Sequence, residues 1–417
     1  MLRTKKLLLL VLVAGLLFSS LIWAGGRSEA KAVKIGALLP LTGALAEFGS
    51  GFRLSGDLAA EQLAEAGFPV QIVYADTETS AIPGVEAART LVNVEKVVAL
   101  VGAAASGVTI PVAETISIPN RIPQISYAST SNLISVLPSD QGKDFLFRST
   151  AADWVQGAVL GRETAKAGAK SAAVIYINSP YGQGLLEDFT KSFEANGGKV
   201  VAAVPHDEKP APTYVSELRE LMQPNPDVML CISYPAHATV YLKEFFEAGY
   251  QNRTRPLFCD GTKSVLLPEA LGAKTLVGYF GTAAAAPEGE SVNNFRRDFK
   301  TKYGEIPPLP YLDTVYDAVV LAALAAAAAQ YEGLPVNGIN VRDKLRKVAN
   351  PPGEVVLPGA DGLKKALELL KAGKDINYEG AGGSQDIDEN GDVVSPIEIW
   401  QYVEKEPYIE TVRLELP

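Results

Sequence analysis

From residue 33 onward, short apolar β-rich runs alternate with stretches whose apolar positions recur at helical spacing. Runs at 33–39, 70–75 and 97–101 are separated by helical patterns at 50–66 and 82–94, which spells βαβαβ. The pattern resumes with a helix at 109–116, a strand at 124–127, a helix at 153–167, a strand at 172–177, a helix at 182–196 and a strand at 199–204. Runs at 227–232 and 257–260 flank a helix at 238–248, and a further run covers 275–281. Strands alternating with single helices predict an α/β protein with doubly wound parallel sheets covered on both faces. About eight such units exceed one small sheet, so two lobes are expected. A crossing between them is expected near 148–151, and the small residues Gly281-Thr-Ala-Ala-Ala-Ala-Pro287-Glu-Gly289 read as a second, flexible one. Helices follow at 291–303 and 311–330, where the alanine tract 322–329 suits close packing of a buried helix.

The N-terminus has a different pattern. Arg3, Lys5 and Lys6 precede an unbroken apolar run at 7–17, with small residues near Ala24 and Ala30, the layout of a Sec signal peptide over 1–30. The competing reading is a retained anchor, since 7–24 is just long enough to span a bilayer. No cysteine lies near either cleavage point, so a lipid-anchoring thiol is not expected and the periplasm is the predicted address.

Composition narrows the chemistry. The 417 residues carry a formal charge of -10, and the part after residue 30, with 34 basic and 47 acidic residues, carries -13. With no basic stripe, a nucleic-acid partner is excluded. Two histidines and two cysteines are too few for a multi-ligand metal centre or His-based catalysis, so no cofactor is expected. Cys231 and Cys259 end two apolar runs that read as neighbouring parallel strands. Bridging such a pair strains a disulfide, so buried free thiols are predicted.

In open parallel sheets, ligands sit beyond the carboxyl ends of the strands. The loop Gly102-Ala-Ala-Ala-Ser106-Gly107 follows one such end. Its small residues expose backbone N–H groups and Ser106 adds a hydroxyl, which suits a carboxylate; Ser106 as a plain helix cap is the alternative. The next strand end gives Ser126-Tyr-Ala128-Ser129-Thr130-Ser131, a cluster of hydroxyls beside the first loop. Three later ends offer Tyr181, Tyr234 and Asp260, an aromatic wall with a carboxylate able to pair with a cation.

These features resemble the type I periplasmic substrate-binding proteins of branched-chain amino acid ABC transporters, the Leu/Ile/Val-binding class. The likeness rests on Leu38-Leu-Pro40-Leu-Thr-Gly43, the Ser106 loop, Tyr127-Ala-Ser-Thr130, Tyr181-Gly-Gln-Gly184 and Tyr316-Asp317-Ala318. It implies two lobes joined by three crossover strands, with lobe 1 at 31–148 plus 282–385 and lobe 2 at 149–281 plus 386–417. It also implies a monomer that captures an apolar amino acid and passes it to an ABC permease in the inner membrane, without catalysis. By the same resemblance, Ser106, Ala128 and Thr130 hold the ligand's carboxylate and amino groups, Tyr181 and Tyr234 line the cleft, Asp260 pairs with the α-ammonium and Phe48 covers the ligand. Where the family has Glu-Gly, this chain has Asp260-Gly261. Proteins of this fold also bind amides, urea or aromatic carboxylates, or serve as ligand-sensing domains of receptors. Such receptors carry a membrane helix or DNA-binding segment, and neither is read before Pro417.

Three other features carry less. The run Asp386-Ile-Asp388-Glu-Asn390-Gly391-Asp392 imitates a calcium loop but has Ile397 where the bidentate Glu belongs. His206 and His237 lack metal-binding spacing and read as solvated or capping residues. Gly261-Thr-Lys263-Ser264 lacks the glycines of a phosphate loop.

Overall fold

The computed structural model describes residues 32–415; the expected signal peptide lies outside them. The elements in chain order begin β1 (Val33–Leu39), α1 (Ala46–Glu65), β2 (Val70–Asp76), α2 (Ala81–Thr90), β3 (Ala99–Val101), α3 (Ser106–Val112), β4 (Gln124–Ser126) and β5 (Leu146–Arg148). There follow α4 (Asp153–Lys166), β6 (Ser171–Ile177), α5 (Pro180–Ala195), β7 (Lys199–His206), α6 (Val215–Met222), β8 (Val228–Ile232), α7 (Pro235–Glu247), β9 (Arg255–Phe258), α8 (Leu266–Leu271) and β10 (Phe280–Ala284). The chain continues through α9 (Glu290–Tyr303), α10 (Leu312–Tyr331), α11 (Gly338–Ala349), β11 (Glu354–Val356), α12 (Ala360–Lys371), β12 (Ile376–Gly380), β13 (Gly383–Ser384), β14 (Ile397–Tyr402) and β15 (Ile409–Glu415).

Two sheets organise these elements. The first has the order β2-β1-β3-β4-β5, all parallel. The second has the order β15-β14-β10-β9-β8-β6-β7, parallel from β10 to β7, with β14 and β15 added antiparallel at one edge. The chain leaves the first lobe after β5, returns after β10 to pack α10 against β1 and β3 and to form a separate small sheet β11-β12-β13, and leaves again after β13, so three segments connect the two lobes. Each lobe therefore contains pieces distant in sequence, and its strand ends face the other lobe's across one cleft.

Helix α10 shows why the alanine tract belongs inside. Every residue from Thr314 to Ala329 is buried, and a helix that is apolar all round is stable in water only when enclosed on all sides. Alanine's small side chain lets neighbouring backbones approach it. The Gly281 segment differs from its expected role as a flexible crossing: residues 280–284 are the buried strand β10, and the crossing begins only after Ala284. The reason is packing. A Cβ on Gly281 would lie 2.5 Å from the Trp400 ring of β14, so the absence of a side chain there makes room for an aromatic residue. Helix α6, which follows the Pro-rich stretch 205–212, was not anticipated at all; Leu218, Leu221 and Met222 bury its inner face.

The Tyr316-Asp317-Ala318 motif is structural. Asp317, fully buried on α10, accepts N–H bonds from Ala381 and Gly382 at 2.7 Å each and the Tyr378 hydroxyl at 2.8 Å. It thereby pins the turn before the third crossing. A Cβ on Gly380 would meet this carboxylate at 2.5 Å. Burial pushes the Asp317 carboxyl up from 3.8 to about 7, outweighing these three donors. The folded chain then holds a proton that the unfolded chain releases above 3.8, so this group's stabilisation is complete below that value and fades as pH rises through about 7. The stability of the wild type relative to Asp317→Asn should therefore fall between pH 4 and 7. Thermal melts of both proteins across that range test it; a gap that widens with pH would contradict the assignment.

Candidate functional site

The strand ends converge on a small cavity between the lobes. Phe48 and Phe52 project from α1, Ser106 from the start of α3, and Ala128 from the loop after β4. The far wall is Tyr181, from the first turn of α5, with Tyr234 and Asp260, which follow β8 and β9. A larger open groove of about 2110 Å³ lies elsewhere on the first lobe, between α1, α9 and the segment around Leu357. Only the smaller cavity sits at the sheets' carboxyl ends with walls from both lobes, and there the functional reading belongs.

The cleft is closed. Ser131 Oγ donates to Pro180 O at 3.0 Å, and Asn132 Nδ2 to Asp188 Oδ2 at 2.6 Å. Glu47, in the first turn of α1, accepts from Val265 N at 2.9 Å and from the Ser264 hydroxyl. Burial raises the Glu47 carboxyl's pKa despite these donors.

Asp260 is the electrostatic centre. It is 3% exposed, and its Oδ1 accepts from Tyr181 Oη at 2.7 Å and Gln156 Nε2 at 3.0 Å, while Oδ2 accepts from Tyr311 Oη at 2.7 Å. Burial first, and then the Asp260 charge, push both tyrosine hydroxyls well above their ordinary pKa, so they remain donors. Tyr181 and Tyr234 stack with centroids 5.8 Å apart and planes 8° apart. A second buried carboxyl, Asp153 at the start of α4, has the Thr130 hydroxyl beside it and no other hydrogen-bond partner. Burial, reinforced by Asp260, raises its pKa strongly. No lining residue is basic. The buried cations Arg148 and Lys263 are committed to Asp392 and Glu398. Buried charges are ordinarily paired, so this site is short of one positive charge.

Six of the eight residues expected from the sequence line the cavity: Phe48, Ser106, Ala128, Tyr181, Tyr234 and Asp260. Ser106 is the first residue of α3 and makes no capping bond; its Oγ accepts from Ser131 N at 3.2 Å, leaving its own proton to donate. Ser129 and Thr130 do not line the cavity. The Ser129 hydroxyl lies 3.1 Å from Ala103 O and 3.0 Å from Ala104 O, knitting the two loops together. Thr130 Oγ1 is buried beside the Asp153 carboxyl.

Sequence reasoning missed Tyr311, Gln156 and Asp153. Tyr311 adopts φ 70° before α10, an uncommon left-handed position for a bulky residue that costs about 1–3 kcal/mol and aims the ring at Asp260. Asp153 and Gln156 were read only as helix. A buried polar face in the first two turns of α4 was the available signal.

The histidines correct the solvated reading. His206 and His237 are 5% and 0% exposed, with ring centroids 4.5 Å apart behind Tyr234. His206 Nε2 lies 2.8 Å from Ser233 Oγ and His237 Nδ1 2.8 Å from Tyr214 Oη. Burial lowers both, His237 to about 3 with His206's help, so the pair is held neutral. The mimic of a calcium loop is a turn, in which Asp388 Oδ1 accepts from Asn390 N and Asp392 N.

This geometry defines a two-lobe ligand-binding protein of the α/β type. The profile of the periplasmic binding protein family matches residues 32–404, and the chain belongs to that family, in its type I form known from branched-chain amino acid transporters. It is 26% identical over 364 residues to the chemotactic signal transduction system substrate-binding protein BasB of Halobacterium salinarum, covering 85% of this chain and 83% of that one. It is 27% identical over 227 residues to Leu/Ile/Val-binding protein homolog 3 of Brucella melitensis, covering 52% and 59%. The fold matches the leucine-binding protein LivK of Thermotoga maritima with a TM-score of 0.76 at 24% identity, covering 93% of this chain and 99% of that one. A benzoate-bound solute-binding protein of R. palustris matches with a TM-score of 0.73 at 19% identity, covering 93% and 97%.

Both cysteines are free and buried, on adjacent parallel strands β8 and β9 or just beyond. Cys259 Sγ lies 3.1 Å from Tyr181 Oη; burial, then Asp260, push its thiol up to about 12. Iodoacetamide should therefore leave both thiols unmodified in the native protein and label both after unfolding. Mass spectrometry of the unreduced protein checks this, and rapid native labelling or a peptide linked through both cysteines would refute it.

Proposed function

We propose that the protein captures a branched-chain or similar apolar amino acid in the interlobe cleft and delivers it to an ABC permease in the inner membrane. Residues 1–30 act as the export signal. The observation that carries the ligand reading is the uncompensated acid at the cavity: Asp260 faces aromatic walls without a basic partner. A zwitterion answers both needs. Its ammonium supplies the absent positive charge. Its carboxylate meets the Ser106 hydroxyl and the backbone at the start of α3, and its side chain packs among Phe48, Phe52 and Tyr234. Membership of the family and the likeness to Leu/Ile/Val-binding protein homologs support the same ligand class.

The lobes act as jaws. We divide them at 31–148 plus 285–385 and 149–284 plus 386–417; the edge expected at 281/282 moves past β10, whose strand pairs within the second sheet. Contacts from both lobes are complete only when the jaws meet, so ligand shifts an open population to the closed one.

Thermal shift with leucine, isoleucine, valine, benzoate and acetamide tests the ligand class, since binding to the native state raises stability by mass action. The branched-chain amino acids should raise the melting temperature and benzoate should not. Asp260→Ala should weaken leucine binding by about 2 to 5 kcal/mol, as when one member of a buried charge pair is removed. Strong stabilisation by benzoate, with none by the amino acids, would replace this reading with an aromatic-acid site.

A further inference from the structure

One buried guanidinium joins the hinge to the ligand loop. Arg148 ends β5 at the first crossing and is fully buried. Its Nε donates to Asp392 Oδ1 at 2.7 Å, and Asp392 belongs to the third crossing. Nη1 donates to the carbonyls of Thr130 and Ser131, both at 3.0 Å, and Nη2 to Ser135 Oγ at 2.6 Å. Ser135 Oγ in turn donates to Asp392 Oδ2 at 2.6 Å. The main chains are tied as well, since Arg148 N donates to Gly391 O at 2.8 Å.

The far end of this network reaches the cavity. Thr130 O also accepts from Asp153 N at 2.7 Å, Ser131 N donates to Ser106 Oγ, and Ser131 Oγ reaches Pro180 of the opposite lobe, next to Tyr181. A guanidinium offers five donors in a rigid fork, so its two carbonyl partners and its carboxylate partner cannot shift independently. A lysine would keep the charge and lose the fork.

We propose that Arg148 is a positioning residue for ligand capture: it sets the 128–131 loop from the crossing segments, so that cleft closure and the shape of the ligand loop are one equilibrium. This rests on the reading that the 128–131 loop meets the ligand.

The test compares Arg148→Lys and Asp392→Asn with Leu345→Ala, a core truncation on α11 that removes none of these hydrogen bonds. Each protein is measured for melting temperature, for leucine affinity by calorimetry, and for amide hydrogen exchange over 128–135 without ligand. Arg148→Lys should weaken leucine binding tenfold or more and speed exchange across 128–135 by a similar factor. Asp392→Asn, which keeps the arginine and so guards against a lysine variant that does not fold, should shift both in the same direction by a smaller factor. Leu345→Ala should lower the melting temperature while both other readouts stay within twofold. The proposal is overturned if either network variant folds with leucine affinity and 128–135 exchange within twofold of wild type, or if Leu345→Ala changes both as much as they do. A wild type that ignores leucine would refute the ligand reading, while the exchange data would still decide the role of Arg148.

Discussion

A carboxylate taken out of water without a cation is the constraint around which this cleft is built. Asp260 loses its hydration when the lobes meet and receives in return three neutral donors, from Tyr181, Gln156 and Tyr311. Those bonds orient the charge and leave it uncancelled, and desolvating an unpaired ion costs several kcal/mol. Asp153 beside it does not add to the deficit, because burial and the Asp260 charge raise its pKa and favour its neutral, protonated form. The closed form is therefore incomplete by one positive charge, and a ligand that brings one gains more from closure than a neutral or anionic molecule of the same shape.

Each donor to Asp260 comes from a different part of the chain, which explains the fold's winding course. Tyr181 starts α5 and Gln156 lies on α4 beside the first crossing, while Tyr311 arrives from the first lobe on the buried helix α10. Tyr311 precedes the first residue of that buried helix in a left-handed conformation. The helix also carries Asp317, which secures the turn before the third crossing. At the hinge, Arg148 and Asp392 form a buried ion pair whose remaining donors are spent on loop carbonyls, the condition under which a buried pair specifies geometry.

Much of this was legible in the chain because parallel α/β structure writes itself locally: apolar runs at strand length, helical periodicity between them, and polar loops at strand ends. The six expected residues that line the cavity all sit just after a strand or in a first helical turn. What was not legible is tertiary. Tyr311 and Asp260 are 51 residues apart, and nothing local links them. Gln156 and Asp153 lie in a helix whose buried face is polar, a departure from the amphipathic pattern that makes sense only once the facing carboxylate is known. Gly281 looked like a flexible joint because its lack of a side chain serves Trp400, 119 residues downstream. His206 and His237 looked solvated because their burial depends on Tyr214 and Tyr241 closing around them.

The claim that the cleft awaits a positive charge is tested most directly by calorimetry with leucine and 4-methylpentanoate, which is leucine without its amine. The two share carboxylate and side chain, so the difference isolates the ammonium against Asp260. The account predicts that the amine-free acid binds about 30-fold more weakly or worse, the lower bound for losing one partner of a buried charge pair. Equal affinities would show that Asp260 has no cationic partner in the ligand and would contradict the account.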